Sequence, residues 1–277
     1  MPVVVISRQV GSYGDEIAKM VAADMGLELI GRDGLHKMAL KCEVEYRDAC
    51  KAYEREHGPG FFERIFFDRP SYFSLFESMA FEQASRGNVV IIGRGAQIVL
   101  WGFPGVFSAR VVAPFETRVA RIKERFGISS ARAQDYVKTY DRERRSLLQS
   151  IFMVDLDDWG LYNVIFNTHR YTARGAATAL VEAVKQMPPV PAGESMPERF
   201  QALALAKRVE TAVKSKLTSA EARNIRIEAE PGGILKISGV VTEKRDKEKV
   251  EKTASECPGV TEVENELVVM DSFRFLG

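Results

Sequence analysis

Short apolar runs alternate with segments of helical spacing along the first two-thirds of the chain. Val3 to Ile6 is an apolar, β-branched run of the kind found in strands buried on both faces. A polar turn with two glycines follows, and from Asp15 to Met25 the apolar residues recur at helical spacing. Similar patterns predict strands at 88–93, 107–112 and 164–167 and helices at 114–125 and 173–187. This alternation predicts a parallel sheet covered by helices on both faces.

A helix-rich insertion is predicted between the first two strands, roughly from Asp33 to Arg86. It carries an aromatic cluster, which could stack on a nucleic base or form the core of a small helical subdomain. The second explanation is the commoner one for aromatic residues. The cluster comprises Phe61, Phe62, Phe66, Phe67, Tyr72, Phe73 and Phe76.

The pattern changes after residue 187. Residues 188–197 are rich in Pro, Gly and Ser and predict a semi-rigid linker. Beyond the linker, helices are predicted at 198–217 and 246–257, and strands at 225–229, 234–241 and 260–270. The sequence therefore predicts an α/β domain over 1–187, a linker over 188–197 and a small α+β domain over 198–277.

The composition narrows the functional classes. With 45% hydrophobic and 28% charged residues in 277, the chain has the composition of a soluble globular protein. A net charge of +1 argues against a general nucleic-acid binder. No apolar run approaches a membrane span or a signal peptide, and the three cysteines show no zinc or disulfide spacing. We therefore expect a cytoplasmic protein without a transmembrane segment, and we assign no metal ligand.

The turn after the first strand is a candidate phosphate loop, formed by Gly11, Ser12, Tyr13, Gly14 and Asp15. A glycine-bearing turn before a helix binds anions through free N–H groups and the helix dipole. The Walker A form would need a lysine followed by a serine or threonine, where this chain has Gly14 and Asp15. From the residues alone, a phosphate site and a tight turn before a buried helix both remain open.

Four sequence blocks resemble the bacterial cytidylate kinase-like family, in the order that the family has them. They are ISRQVGSYGDEIA at 6–18, GPGFFER at 58–64, GNVVIIGRGA at 87–96 and LYNVIFNT at 161–168. The resemblance covers roughly residues 1–187 and implies a P-loop nucleoside monophosphate kinase fold with a monophosphate-binding insertion and a lid. It also implies ATP and Mg²⁺ as cofactors and a nucleotide ligand such as CMP. This chain departs from the family at Tyr13, Asp15 and Gly31.

Arginines are the candidate functional residues, because their planar fork holds phosphate oxygens. The resemblance places Arg8, Arg142 and Arg145 in catalysis, and Asp141 with the last two arginines in the lid. It also places Arg32 and Arg94 at the phosphate acceptor, and Arg94 lies between glycines at the end of a buried strand. A further set shares one helix face, for which a solvated surface is the favoured interpretation: Arg118, Arg121 and Arg125.

The segment from Arg199 to Met270 resembles a BON domain, with the central Gly239 in place. This resemblance implies a module that binds a small ligand or a protein partner and has no catalytic role. Two functional hypotheses follow. The chain is an ATP-dependent kinase of a nucleoside monophosphate, or it is a catalytically inactive nucleotide-binding regulatory protein that signals through its BON domain.

Overall fold

The computed structural model describes residues 2–31, 71–93, 95–217 and 224–270. Arg32, Arg94 and most of the predicted helical insertion, with most of its aromatic cluster, lie outside these residues. Statements about the structure below concern the described residues.

The predicted parallel sheet is confirmed. Five parallel strands are arranged in the order β2-β3-β1-β4-β5. Their bounds are Val3–Arg8 (β1), Glu28–Ile30 (β2), Val89–Ile92 (β3), Val106–Val112 (β4) and Val164–Asn167 (β5). The short β2, with only three residues, carries too little apolar pattern to be predicted from sequence. Its partner β3 is fully apolar and buried, and so are residues 3–6 of the central β1, as both-face coverage requires.

Helices follow the strands. They are Gly14–Met25 (α1), Ser71–Ser85 (α2), Ala96–Val99 (α3), Phe115–Phe126 (α4), Ser130–Phe152 (α5) and Ala173–Lys185 (α6). The apolar stripes of α1 and α6 pack on one face of the sheet, where Ile17 and Leu180 join Val4, Ile6 and Phe107 in a single core. This packing holds the start of α1 at the carboxyl end of β1, where a phosphate loop was predicted.

The described residues form two compact units. The first contains residues 2–31, 86–93 and 95–194, and the second contains 71–85, 195–217 and 224–270. Helix α2 lies within the predicted first domain by sequence, yet it packs in the second unit. The domain boundaries at 187 and 198 stay a prediction.

The second unit has an α+β core. Two helices, Met196–Lys216 (α7) and Lys244–Ser255 (α8), accompany a sheet of Ile225–Ala229 (β6), Ile234–Val241 (β7) and Glu262–Val269 (β8). Strand β7 is antiparallel to β6 and parallel to β8. The apolar side chains Val209, Leu235, Ile237 and Val250 meet in one core on the helical side of the sheet.

Gly239 lies within β7, at a position that requires glycine for a steric reason. Its φ is +126°, a conformation that L-residues rarely adopt, and a Cβ at this position would lie 1.9 Å from the carbonyl oxygen of Asn224. The glycine therefore allows β6 and β7 to approach at the point where β6 begins.

Candidate functional site

The loop between β1 and α1 has the backbone geometry of an anion-binding turn. Gly11 and Tyr13 both have left-handed backbone conformations, with φ of +76° and +67°. Tyr13 precedes the first helical residue and its side chain caps no backbone group. The N–H groups of the first turn of α1 therefore lack both intrahelical acceptors and a side-chain cap, and the helix dipole points its positive end at the same place.

The carbonyl oxygens of this loop are held by donors within the protein. The hydroxyl and N–H of Ser12 both donate to the Gln9 carbonyl oxygen, at 2.7 and 3.3 Å. The remaining carbonyl oxygens, those of Val10, Gly11, Ser12 and Tyr13, accept from Arg118, Arg121, Thr168 and the N–H of Ile17 respectively. Because the acceptors of the loop are engaged in this way, its donors are the groups left to meet a ligand.

Two arginines of α4 hold the loop in place through hydrogen bonds to its carbonyl oxygens. The Arg118 side chain is 5% exposed, pairs with Asp141 at 2.8 Å, and donates to the carbonyl oxygens of Ala113 and Val10. Arg121 donates to Gly11 and, through two guanidinium nitrogens, to the carbonyl and hydroxyl oxygens of Thr168. The expectation of a solvated face was wrong for Arg118, and Arg121 is half-buried. Only Arg125, which is 60% exposed, is solvated.

Arg8 and Asp15 form an ion pair across the loop. The Nε of Arg8 lies 2.9 Å from Oδ1 of Asp15, and the Arg8 side chain is 16% exposed. Asp15 thus offsets part of the positive charge that Arg8 brings to the turn. The Nη1 atom of Arg8 lies beside Gly93, at the end of the neighbouring strand β3.

Arg8 and Arg144 converge at the carboxyl end of β3. A Cβ on Gly93 would lie 2.5 Å from Nη1 of Arg8 and 2.6 Å from Nη2 of Arg144, so both guanidinium groups approach this backbone directly. Strand β3 is the parallel neighbour of β1, which places Gly93 beside the loop. The two cationic side chains therefore lie at the edge of the sheet that carries the predicted phosphate loop.

The lid residues predicted from the sequence did not include Arg144, and they are placed differently. Arg142 is exposed on α5. Arg145 pairs with Asp157 at 2.9 Å, and Asp157 also accepts from Arg110 at 2.8 Å. Asp141 pairs with Arg118 rather than with Arg145. Of the run from 141 to 145, the structure brings Arg144 to Arg8, whereas Arg94 and Arg32 lie outside the described residues.

Arg110 is a residue that the sequence analysis did not single out. It is 6% exposed in β4, where it donates to Ser7 of the neighbouring strand, to the Tyr162 hydroxyl and to Asp157. A signal was available, because an arginine in an otherwise apolar strand must find polar partners. Arg110 ties the segment after α5 to the sheet beneath the loop.

The described residues offer no group of three or more His, Cys, Asp or Glu side chains that could hold a metal ion. No described helix is both long enough and apolar enough to cross a bilayer.

Comparisons with known proteins identify the family of this chain. Residues 3–170 match the cytidylate kinase-like family and residues 204–271 match the BON domain. The cytidylate kinase of the archaeon Ignicoccus hospitalis is 26% identical over 188 residues, which are 68% of this chain and 99% of that enzyme. The cytidylate kinase of Pyrococcus horikoshii is 27% identical over 116 residues, and the chain spans only 56% of its length.

A solved structure of an uncharacterized protein from Eubacterium ventriosum shares the fold, with a TM-score of 0.51 and 21% identity over 66% of this chain and 98% of that one. The resemblance predicted from sequence concerned the bacterial family, whereas the named relatives above are archaeal. Since the family match spans more than half of the chain, this protein belongs to the cytidylate kinase-like family and carries a BON domain after its kinase-like portion.

Proposed function

We propose that this protein is an ATP-dependent kinase that phosphorylates a nucleoside monophosphate, with CMP as the preferred acceptor. The observation that carries the proposal is the convergence of Arg8 and Arg144 on Gly93, next to a loop whose carbonyl oxygens are all engaged. The choice of CMP rests on the family and on relatives that are named cytidylate kinases.

The residues of the site fit a chain of phosphates. The first turn of α1 offers backbone N–H groups to one phosphate, and the terminal nitrogens of Arg8 and Arg144 offer charged donors to its neighbour. ATP would supply the phosphoryl group here, and the Mg²⁺ bound with it would neutralise part of the phosphate charge. Mg²⁺ that accompanies a nucleotide is commonly held by its phosphates, by water and by one or two carboxylates.

The chain's own contribution to the transfer is position and positive charge. Phosphoryl transfer develops charge on oxygens around the moving group and needs little covalent chemistry from the protein. Arg8 is held by Asp15 in one orientation, so that its Nη1 points to the end of β3 without reorganisation during the reaction. Arg144 reaches the same point from α5, and Nε and Nη2 of its guanidinium are shielded from solvent.

Enzyme assays test this proposal. Purified full-length protein is mixed with Mg²⁺, ATP and each of CMP, UMP, AMP and GMP, and ADP formation is followed. We expect turnover with CMP, loss of most activity in Arg8→Ala, and little change in Arg226→Ala, an arginine that is 78% exposed on β6. Absence of turnover with the whole panel would contradict the enzymatic assignment.

One observation favours a second candidate, a nucleotide-binding regulatory protein without turnover. The Arg8–Asp15 ion pair places a carboxylate at the first turn of α1, where an incoming phosphate chain also carries negative charge. Calorimetry separates the two candidates. Nucleotide binding without turnover supports the regulatory protein, and absence of nucleotide binding contradicts both.

A further inference from the structure

Asp157 joins two arginines that belong to different elements of the first unit. Its Oδ1 lies 2.8 Å from Nη2 of Arg110 in β4, and its Oδ2 lies 2.9 Å from Nη2 of Arg145 in α5. Each oxygen of the carboxylate therefore accepts from one guanidinium. A carboxamide could not replace it, because its nitrogen is a donor and only its oxygen accepts. The bridge between β4 and α5 thus depends on a side chain with two acceptor oxygens.

The Arg110 end of this bridge is buried in the sheet. The Arg110 side chain is 7% exposed, and its Nη1 donates to the hydroxyl oxygens of Ser7 and Tyr162 at 3.4 and 3.1 Å. Ser7 precedes Arg8 in β1 and is the register partner of Arg110. A buried guanidinium is costly without a carboxylate, and Asp157 supplies one. Arg110 therefore fixes the position of Asp157 relative to β1 and β4.

The segment that carries Asp157 is also held at β4. Tyr162 is buried, and its hydroxyl donates to the carbonyl oxygen of Leu156 at 3.0 Å. The N–H of Asn163 donates to the Ser108 carbonyl oxygen at 2.8 Å, and the N–H of Ser108 donates to Oδ1 of Asn163 at 2.7 Å. These contacts hold the chain between α5 and β5 against β4. Asp157 consequently offers α5 an acceptor with a fixed position.

Arg145 and Arg144 are consecutive residues of α5 that reach different places. An α-helix turns successive side chains by about 100° around its axis. Arg145 reaches Asp157, whereas Nη2 of Arg144 approaches Gly93 after β3, where Nη1 of Arg8 also lies. The contact between Arg145 and Asp157 therefore fixes the rotation of α5 one residue away from Arg144.

An apolar contact fixes the distance of the same helix from the chain after β3. Leu148 lies one turn after Arg144 on the same face of α5, and it is 2% exposed. A Cβ on Gly95 would lie 2.4 Å from the Phe152 ring and 3.3 Å from Leu148, so the absence of a side chain at Gly95 allows the close approach. Packing thus sets how near α5 comes, and the ion pair with Asp157 sets how it is rotated.

We propose that Asp157 is a positioning residue for phosphoryl transfer: by bridging Arg110 and Arg145 it sets the rotation of α5 that brings Arg144 to the end of β3. Asp157 acts through Arg144, and Arg145 holds the helix instead of taking part in catalysis. The proposal rests on the proposed kinase function for its kinetic readout. The placement of Arg144 has a second readout that does not require turnover.

Steady-state kinetics of the full-length protein with ATP, Mg²⁺ and CMP test this role. Asp157→Asn leaves one acceptor oxygen, whereas Asp157→Glu keeps two. We expect Asp157→Asn to lower kcat about fivefold or more with less than about a twofold change in the KM for ATP, and Asp157→Glu to recover part of the loss. Asp135→Asn, at an exposed position of α5, is the matched control and should leave kcat unchanged.

A double variant decides whether Asp157 acts through Arg144. In the Arg144→Ala background, Asp157→Asn should lower kcat no further, because the group that Asp157 positions is gone. Losses that multiply in the double variant would overturn the proposal and leave the kinase function intact. So would a loss in Asp157→Asn that Asp157→Glu does not reduce.

Chemical modification follows Arg144 without turnover. Phenylglyoxal modifies accessible guanidinium groups, and mass spectrometry locates the modified residues. Nε and Nη2 of Arg144 are shielded from solvent, whereas Arg142 is exposed and serves as the internal reference. Asp157→Asn should speed modification of Arg144 relative to Arg142, and Asp135→Asn should not. An unchanged ratio in Asp157→Asn would contradict the proposal.

The two readouts also separate this proposal from the proposed function. If the wild type phosphorylates none of the nucleotides tested, the proposed function fails, and the modification ratio alone decides the placement of Arg144. If Asp157→Asn does not fold, Arg145→Gln removes the more exposed end of the bridge and is judged by the same outcomes, with Arg145→Lys as the conservative variant.

Discussion

The guanidinium carbon of Arg121 lies 3.8 Å from the centre of the Tyr13 ring. Tyr13 has a left-handed backbone at the position before α1, which is unfavourable for a residue with a large side chain. The stacked Arg121 compensates for this by holding the ring, and the same guanidinium donates to Gly11 and to Thr168. The pair explains how a tyrosine is accommodated in a phosphate loop.

The first prediction concerns the contacts of Arg121 with Tyr13, Gly11 and Thr168. Arg121→Lys should lower the free energy of unfolding by about 1–3 kcal/mol and weaken ATP binding. A lysine cannot donate to both Gly11 and Thr168 and at the same time stack on the Tyr13 ring. Thermal unfolding and calorimetry measure the two effects. Arg125→Lys, one turn along α4 and 60% exposed, is the control and should change neither. Equal effects of Arg121→Lys and Arg125→Lys would show that the contacts of Arg121 with the loop do not cause the change.

The second prediction concerns the ion pair at the loop. Asp15→Asn should strengthen ATP binding about twofold to fivefold, since it removes a negative charge from the N-terminal turn of α1 and frees Arg8 for phosphate. Isothermal calorimetry at low salt measures the change. Asp24→Asn near the other end of α1, where Asp24 pairs with Arg174, serves as the control. A loss of affinity in Asp15→Asn would show that Asp15 acts in binding, through its hold on Arg8 or through the metal.

The third prediction separates the arginines of α5. Arg144→Ala should reduce kcat for phosphoryl transfer by roughly tenfold or more, because Arg144 meets Arg8 at the end of β3, where charge on the phosphate is to be neutralised. Arg132→Ala, at an exposed position in the first turn of the same helix, should have no effect. A larger loss in Arg142→Ala than in Arg144→Ala would favour the assignment made from the sequence alone.

The fourth prediction concerns the pH dependence of stability. The pKa of Glu210 is below its ordinary value of 4.5, because its contacts with Lys214 and Lys207 outweigh burial, which by itself would raise it. A carboxyl group whose pKa is lower in the folded protein than in the unfolded chain stabilises the fold at pH values above its unfolded-state pKa. This stabilisation is lost as the pH falls through the folded-state pKa. The wild type should therefore exceed Glu210→Gln in Tm at pH 7, and the difference should shrink below about pH 4.5.

Glu77 provides the contrast for that experiment. Its pKa is raised, chiefly by burial, so the folded state holds a proton more tightly than the unfolded chain does. The free energy of unfolding therefore decreases as the pH rises through the pKa that Glu77 has in the unfolded chain. Glu77→Gln should consequently compare more favourably with the wild type at pH 7 than at pH 4. Parallel trends in the two variants would contradict the opposite directions of the two pKa values.

Much of the architecture could be predicted from local pattern. Val3 to Ile6 and Val89 to Ile92 are apolar and β-branched, and such runs form buried strands almost independently of their surroundings. Glycine-bearing turns and helical spacing placed α1 and α6 within a few residues of their bounds. The family resemblance rested on the same local blocks, and both family matches agree with it.

The contacts of the individual arginines could not be predicted from local sequence pattern. Arg142, Arg144 and Arg145 are neighbours on one helix, but their surroundings differ. Arg144 reaches Gly93, Arg145 pairs with Asp157, and Arg142 is exposed. Helical spacing indicates which residues share a face, but not what lies opposite that face. Arg118 was misjudged for the same reason, since its partner Asp141 belongs to another helix.

The sequence by itself determined the strands other than β2, the loop before α1 and the family, because these depend on contacts between near neighbours or on short strings of residues. Tertiary structure alone decided that Arg144 joins Arg8, that Asp15 holds Arg8, and that α2 packs on α7. Each of these relationships joins residues far apart in the chain, and the side chains involved are charged or amphipathic. Such side chains can be exposed to solvent or can contact a partner residue. Only the assembled fold decides which of these two environments each side chain has.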